Sequence, residues 1–267
     1  MVVRANAVQE SQKKPSDTKR FQGIPIRYLL PNLLTLLALC SGVTAIRLAV
    51  EGRIELAVSA IILAAVLDGL DGRLARYLKG TSRFGAELDS LADFVNFGVA
   101  PAIMLYFWSL NSLKTFGWVI CLMLAIACAL RLARFNVALD DPSQPNWVKA
   151  YFTGMPAPAG ALLAMAPFYL GFLWQQTDGH AFAKPIAAFV ILIAVLMVSR
   201  VPTFSGKSIS RVPTDYVLPI LAIMALLMVL LVSYPWETLA IAAAIYLVLI
   251  PVSGISYYRR KRATPSD

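Results

Sequence analysis

Between Asp68 and Asp93 four aspartates stand among small residues and an arginine at fixed intervals: Asp68, Asp71, Gly72, Ala75, Arg76, Gly85, Asp89 and Asp93. Carboxylates are hard oxygen donors. Grouped together they suit divalent cations such as magnesium or manganese, and a carboxylate with one oxygen left free can also take a proton from a hydroxyl. The surroundings make this grouping costly, because the flanking segments are apolar enough to lie in lipid. One carboxylate in the middle of a spanning helix costs about 2.5–3.5 kcal/mol on insertion scales. Facing carboxylates also repel one another unless cations neutralise them. The pattern therefore points to bound cations or a functional cavity.

Helical geometry is what brings these residues together. Side chains three and four apart share a face, so Asp68, Asp71, Gly72, Ala75 and Arg76 fall on one side of a first helix and Gly85, Asp89 and Asp93 on one side of a second. The linker from Tyr77 to Phe84, with Lys79, Gly80, Thr81, Ser82 and Arg83, is short, polar and basic. It predicts a tight turn between antiparallel helices at the membrane surface, letting the two acidic faces meet. Gly72, Ala75 and Gly85 remove side-chain volume where a bulky ligand could lie between the helices. The competing explanation for such small residues is close helix packing.

The motif as it stands resembles the signature of the CDP-alcohol phosphotransferase family, integral membrane enzymes that build phospholipids from cytidine-diphosphate-activated precursors. Further segments, Ser90 to Ala102, Arg131 to Asn136, Phe152 to Ala159, and Val198 to Lys207, resemble the branch of that family formed by the membrane-embedded phosphatidylserine synthases. The resemblance runs from about Pro31 to about Lys207. It implies transfer of the phosphatidyl group from CDP-diacylglycerol to the hydroxyl of L-serine, giving phosphatidylserine and CMP, with a homodimer as the assembly. It also implies two divalent ions, magnesium or manganese, held by Asp68, Asp71, Asp89 and Asp93, with Asp93 accepting the serine proton. Gly72, Arg76 and Ser82, with Asn32 and Thr35 from the first helix, are implied contacts to the CDP portion, beside Ala75 and Gly85. Serine carries a carboxylate and an ammonium, for which Arg131, Arg134, Lys207, Asn96 and Asn136 are candidates. Snorkelling of helix-end cations is the alternative for the arginines.

Composition leads independently to a polytopic membrane protein. Hydrophobic residues make up 58% of the chain, mean hydropathy is +0.68, and apolar stretches recur at spanning length. Eight are read, at about 29–50, 54–77, 88–110, 115–138, 156–175, 184–201, 216–234 and 236–257. The expected fold class is an all-α helical membrane bundle of about eight transmembrane helices spanning 21–258, between a polar tail at 1–20 and a basic tail at 259–267. Phe21 to Leu30 reads as an interfacial lead into the first helix. With eight spans, 20 of the 24 basic residues fall on the side of the two termini, and Arg47, Arg53, Lys114 and Lys184 opposite. The positive-inside rule puts the termini and the acidic motif at the cytoplasmic face, in a bacterial-type inner membrane.

The net charge of +9 follows from these helix-end cations, and no nucleic-acid motif accompanies it; anionic lipid headgroups are the better partners. Cys40, Cys121 and Cys128 lie in apolar spans without paired spacing and read as small buried hydrophobes. His180 falls in a loop far from the acids, so a general base must come from the acids themselves. Two alternatives stay open. The acceptor could be glycerol 3-phosphate, inositol or its phosphate, or choline. A divalent-cation transporter would also explain intramembrane acids, although it would place related acids near the midplane in both halves.

Overall fold

The computed structural model describes residues 26–80, 82–139, 151–175, 179–199, 201–204 and 216–263. The polar tail at 1–20, the start of the interfacial lead, Thr81, Lys149 and Lys207 lie outside the described residues. Most of the described residues are helical. Helix α1 covers Ile26–Val50, so the end of the interfacial lead is already its first turn, and α2 covers Ile54–Tyr77. Helix α3 (Arg83–Asp93) runs through a π-helical segment (Phe94–Val99) into α4 (Ala100–Trp108). Then come α5 (Thr115–Leu139), α6 (Ala157–Ala164), α7 (Ala166–Leu173), α8 (Ala183–Val198), α9 (Val217–Ser233) and α10 (Pro235–Ala263). Five helical segments are long and apolar enough to cross a membrane, at Leu29–Val50, Arg83–Trp108, Thr115–Ala138, His180–Val198 and Pro235–Gly254. Ala157–Leu173 and Val217–Ser233 are shorter apolar helices, and α2 has the length, with Glu55 in its first turn and Asp68, Asp71, Arg73 and Arg76 toward its end. This is a polytopic helical membrane bundle. The basic stretch Arg259–Arg262 continues α10 rather than forming a separate tail.

Two details depart from plain spanning helices. The stretch read as one span at 156–175 is broken at Met165, because Pro167 has no amide hydrogen to donate back up the helix. The hydroxyl of Tyr169 donates to the Leu162 carbonyl at 3.1 Å across this break. The second detail is a ribbon of two three-residue strands, β1 (Tyr151–Thr153) antiparallel to β2 (Pro202–Phe204), pairing Phe152 with Thr203. It ties the α5–α6 connection to the α8–α9 connection. Gly154 follows β1 at φ +84°, and a Cβ there would also lie 2.8 Å from the Ser199 carbonyl oxygen, so both backbone and space demand glycine.

Helix α1 packs along the whole of α2 and also against α3, the π segment and α4, whereas the backbones of α2 and α3 stay mostly more than 8 Å apart. The acid-bearing helices are thus held beside a common wall with room between them. The π segment lies at the middle of the bundle, against α1, α2, α5 and α6, and Phe97 there is fully buried with Ile61, Met104, Leu105 and Leu124. By contrast, α9 has no buried side chain among the described residues and packs on α10. Its large apolar side chains are exposed.

Helix α1 comes close to the π segment at Gly42, where an added Cβ would collide with the Asn96 amide, 2.9 Å from its Cγ and 3.3 Å from its Cα. Gly42→Ala is expected to destabilise the protein by about 1–3 kcal/mol, the usual range for overpacking a filled interior. The measurement is the unfolding temperature of the detergent-solubilised protein. An unchanged midpoint would show that α1 and the π segment are not in contact.

Candidate active site

The acidic residues converge as their spacing predicts. One carboxylate oxygen from each of Asp68, Asp71 and Asp89 falls in a group whose members all lie within 4.8 Å of one another. Asp68 is also within hydrogen-bonding reach of Asp93, so the fourth acid adjoins the same cluster. Asp71 is buried, at 4% exposure, and the other three are half-buried. The donor set is purely hard oxygen, the type magnesium and manganese prefer, and it sits where like charges would otherwise face one another. These residues fit a divalent cation.

Local structure explains the placement. Helix α2 ends in a Schellman closure: Gly80 N–H donates to the Ala75 carbonyl at 2.9 Å and Lys79 N–H to Arg76 at 3.2 Å. Lys79 adopts φ +50° there, the left-handed position such a closure needs. The chain then enters α3 through Ser82, whose Oγ accepts the Gly85 N–H at 3.0 Å as its N-cap. Helix α3 therefore starts within a few residues of the end of α2, and the sharp turn read between Tyr77 and Phe84 is what forms.

The two glycines of the motif have different physical reasons. At Gly72 an added Cβ would meet nothing nearer than Arg76 Nη1 at 3.9 Å, so this face is open toward the gap, as a ligand would need. At Gly85 it would lie 2.8 Å from Asn32 Oδ1 and 3.1 Å from Ser82 Oγ, so close packing of α1 on α3 is the reason here. Ala75 is half-buried and Arg76 exposed, at the open end of the gap.

Other candidates find protein partners. Thr35 donates to Asp71 Oδ2 at 2.6 Å. Asn96 is buried, with its Oδ1 against Gly42 and without a hydrogen-bond partner, so it faces α1. Arg131 is 9% exposed; its Nε donates to the Met155 carbonyl at 3.1 Å and its guanidinium lies 5.1 Å over the Phe135 ring. It is a buried cation that interacts electrostatically with Asp93, which removes the snorkelling explanation. Arg134 donates to the Val198 and Ser199 carbonyls at 2.7 and 3.4 Å, covering the C-terminal end of α8, a placement favourable to a cation. Asn136 donates to Ser90 Oγ at 2.9 Å. His180 stays far from the acids, its Nδ1 3.2 Å from the Ser109 carbonyl. The sequence reading missed Tyr246 of α10, which lies near Arg131; its only signal is a lone tyrosine in an apolar span.

The family model described as CDP-alcohol phosphatidyltransferase matches residues 28–201, which runs from the first turn of α1 to beyond the end of α8. This chain belongs to the CDP-alcohol phosphatidyltransferase family. A further model, described as CDP-alcohol phosphatidyltransferase 2, matches residues 215–251. Among curated relatives, the CDP-diacylglycerol–serine O-phosphatidyltransferase of Mycobacterium leprae is 40% identical over 228 residues, 84% of this chain and 73% of that protein. The Helicobacter pylori (strain 26695) protein of the same name is 35% identical over 223 residues, 83% of this chain and 89% of its own length. An archaetidylserine synthase of Methanothermobacter thermautotrophicus is 34% identical over 192 residues, 68% of this chain and 72% of its own. The acidic cluster thus lies within the part of the chain that defines the CDP-alcohol phosphatidyltransferases.

The Arg134 contacts yield a prediction that separates structure from substrate binding. Arg134→Ala is expected to lower the unfolding temperature and the yield of folded protein, leaving the KM for either substrate within about twofold, because the lost bonds hold α8 rather than a ligand. Kinetics with each substrate varied in turn check this. A rise confined to one KM would assign the guanidinium to that ligand.

Proposed function

We propose that this chain transfers the phosphatidyl group of CDP-diacylglycerol to the hydroxyl of L-serine, releasing CMP. The observation that carries the reading is the meeting of four carboxylates beside an open gap between α2 and α3, in a family of CDP-alcohol phosphatidyltransferases. The names of the serine-using relatives support serine as acceptor. The basic residues that the sequence pattern assigns to the side of the acidic motif support a cytoplasmic placement of the site, in a bacterial-type inner membrane. The lipid-facing surface of α9 and α10 is available to a homodimer.

Asp68, Asp71 and Asp89, with Asp93, would hold magnesium or manganese, two ions in all. Bound there, such ions supply neutralisation of the diphosphate oxygens and of the charge that develops as CMP leaves. The chain's own groups do the rest. Arg76, exposed at the open end, pairs with the diphosphate, and the bare face of Gly72 lets the nucleotide approach α2. Asp93 stands next to the buried Arg131. Its carboxylate takes the proton of the serine hydroxyl as that oxygen forms its bond to the diacylglycerol-bearing phosphorus, and the bond from that phosphorus to the CMP oxygen breaks with its electron pair on CMP. Arg131, held by the Met155 carbonyl, offers a buried cation beside Asp93 for the serine carboxylate, with Asn136 and Lys207 as further candidates.

The purified chain, incubated with CDP-diacylglycerol and a panel of labelled alcohols, is expected to make phosphatidylserine and CMP from serine in magnesium or manganese, with none formed in a chelator. A different labelled lipid would reassign the acceptor, and the absence of any lipid product would overturn the transferase reading. Within that assay Asp68→Asn, Asp71→Asn and Asp89→Asn are expected to abolish turnover in correctly inserted protein. Asp93→Asn should keep CDP-diacylglycerol binding while lowering transfer by about 10²-fold or more. Near-normal transfer by Asp93→Asn would remove it as the base.

A further inference from the structure

Helix α1 carries none of the four acids, yet one of its side chains reaches them. Thr35 is 4% exposed and its partner Asp71 is 4% exposed, so their 2.6 Å hydrogen bond is shielded from water. A hydroxyl has one proton to give. The other acceptor within reach is the Pro31 carbonyl one turn back, at 3.2 Å, and the shorter contact is to the carboxylate. Because an ionised carboxylate can only accept, the direction of the bond is fixed: Thr35 Oγ1 donates and Asp71 Oδ2 accepts.

The anchor of this donor is firm. Helix α1 packs along the length of α2, and Ser41 Oγ donates to the Ala60 carbonyl at 2.8 Å further along the same interface. A threonine on a helix has only two common settings of its hydroxyl, one of which serves the carbonyl one turn back, so the short bond to Asp71 selects between few alternatives. By contrast, the terminal torsion of an aspartate is soft and roughly two-fold. Engaging Oδ2 from the α1 side therefore removes a rotation of Asp71 that would move its oxygens away from those of Asp68 and Asp89, with which it shares a group 4.8 Å across.

We propose that Thr35 is a positioning residue that holds the Asp71 carboxylate in the orientation a divalent cation needs, making α1 a structural part of cation binding. The inference rests on the reading of the acids as a cation site. It differs from a nucleotide contact, because the hydroxyl proton goes to a carboxylate of the chain and not to a ligand. Side chains that orient metal ligands commonly contribute 10- to 100-fold in affinity. Thr35→Val keeps shape and burial and removes only the donor, whereas Thr35→Ser keeps the donor and removes only the methyl group.

The test is manganese binding to the full-length protein in lipid nanodiscs without CDP-diacylglycerol, read by electron paramagnetic resonance of the free ion. Thr35→Val is expected to weaken binding by about tenfold or more and Thr35→Ser by less than about threefold. At saturating manganese the KM of Thr35→Val for CDP-diacylglycerol should match that of the unsubstituted protein. Unaltered manganese binding by Thr35→Val, when Asp71→Asn loses it, would overturn the role of Thr35 alone. Equal loss in Thr35→Ser and Thr35→Val would assign the effect to packing of the methyl group and also overturn it. If the unsubstituted protein binds no manganese and Asp71→Asn changes nothing, the cation reading falls and the inference with it.

Discussion

Carboxylates gathered at the edge of a membrane bundle set the terms for everything around them. Each loses hydration as it leaves water, and each is repelled by its neighbours. The fold answers with geometry before chemistry enters. Helices α2 and α3 are joined by a closure tight enough to bring their acidic ends together, and α1 lies against both, donating a hydrogen bond to the most buried acid. Arg131 places a positive charge beside Asp93. A site of this kind is a set of costs shared among neighbours, and a ligand bearing several negative oxygens together with its counter-cations completes the compensation.

The remaining helices serve this arrangement at one remove. Helix α5 supplies Arg131 and Arg134 from the same stretch, three residues apart, yet the two cations serve different ends. One is buried beside an acid and bound to the Met155 carbonyl, the other bonded to the last carbonyls of α8. The ribbon formed by β1 and β2 links the two connections that leave those helices. The end of the bundle that holds the chemistry is therefore braced by backbone as well as side-chain bonds, while α9 contributes no buried side chain among the described residues.

Much of this was legible in the sequence, for a physical reason. Acids at intervals of three and four state their helical face directly, and apolar stretches of spanning length state the helices. All four aspartates meet accordingly, and the eight stretches correspond to the helical segments from α1 to α10. Partner choice was not legible. Thr35 and Ser82 stood as implied contacts to the CDP portion, and Arg134 and Asn136 as candidates for serine, but each bonds to protein, and only Ser82 and Gly85 are close enough in sequence for a capping pattern to have revealed it. The small residues of the motif looked alike, although Gly72 opens a space and Gly85 fills one. Strands three residues long carry no periodicity to read. The break at Met165 did have a signal in Pro167.

The π-helical segment directly after Asp93 behaves as though one residue had been added to an otherwise continuous helix, its hydrogen bonds reaching one residue further than in an α-helix. The two halves of that span are consequently out of phase by about 100°, the angular step of one α-helical residue. The acids of α3 turn one way while Met104, Leu105 and Trp108 of α4 turn into the core. The span is in effect two helices with independent rotational settings sharing a single axis. Loss of one residue from Phe94–Val99 would not break it. It would regularise it, and in doing so force a choice between aiming the carboxylates and burying the core.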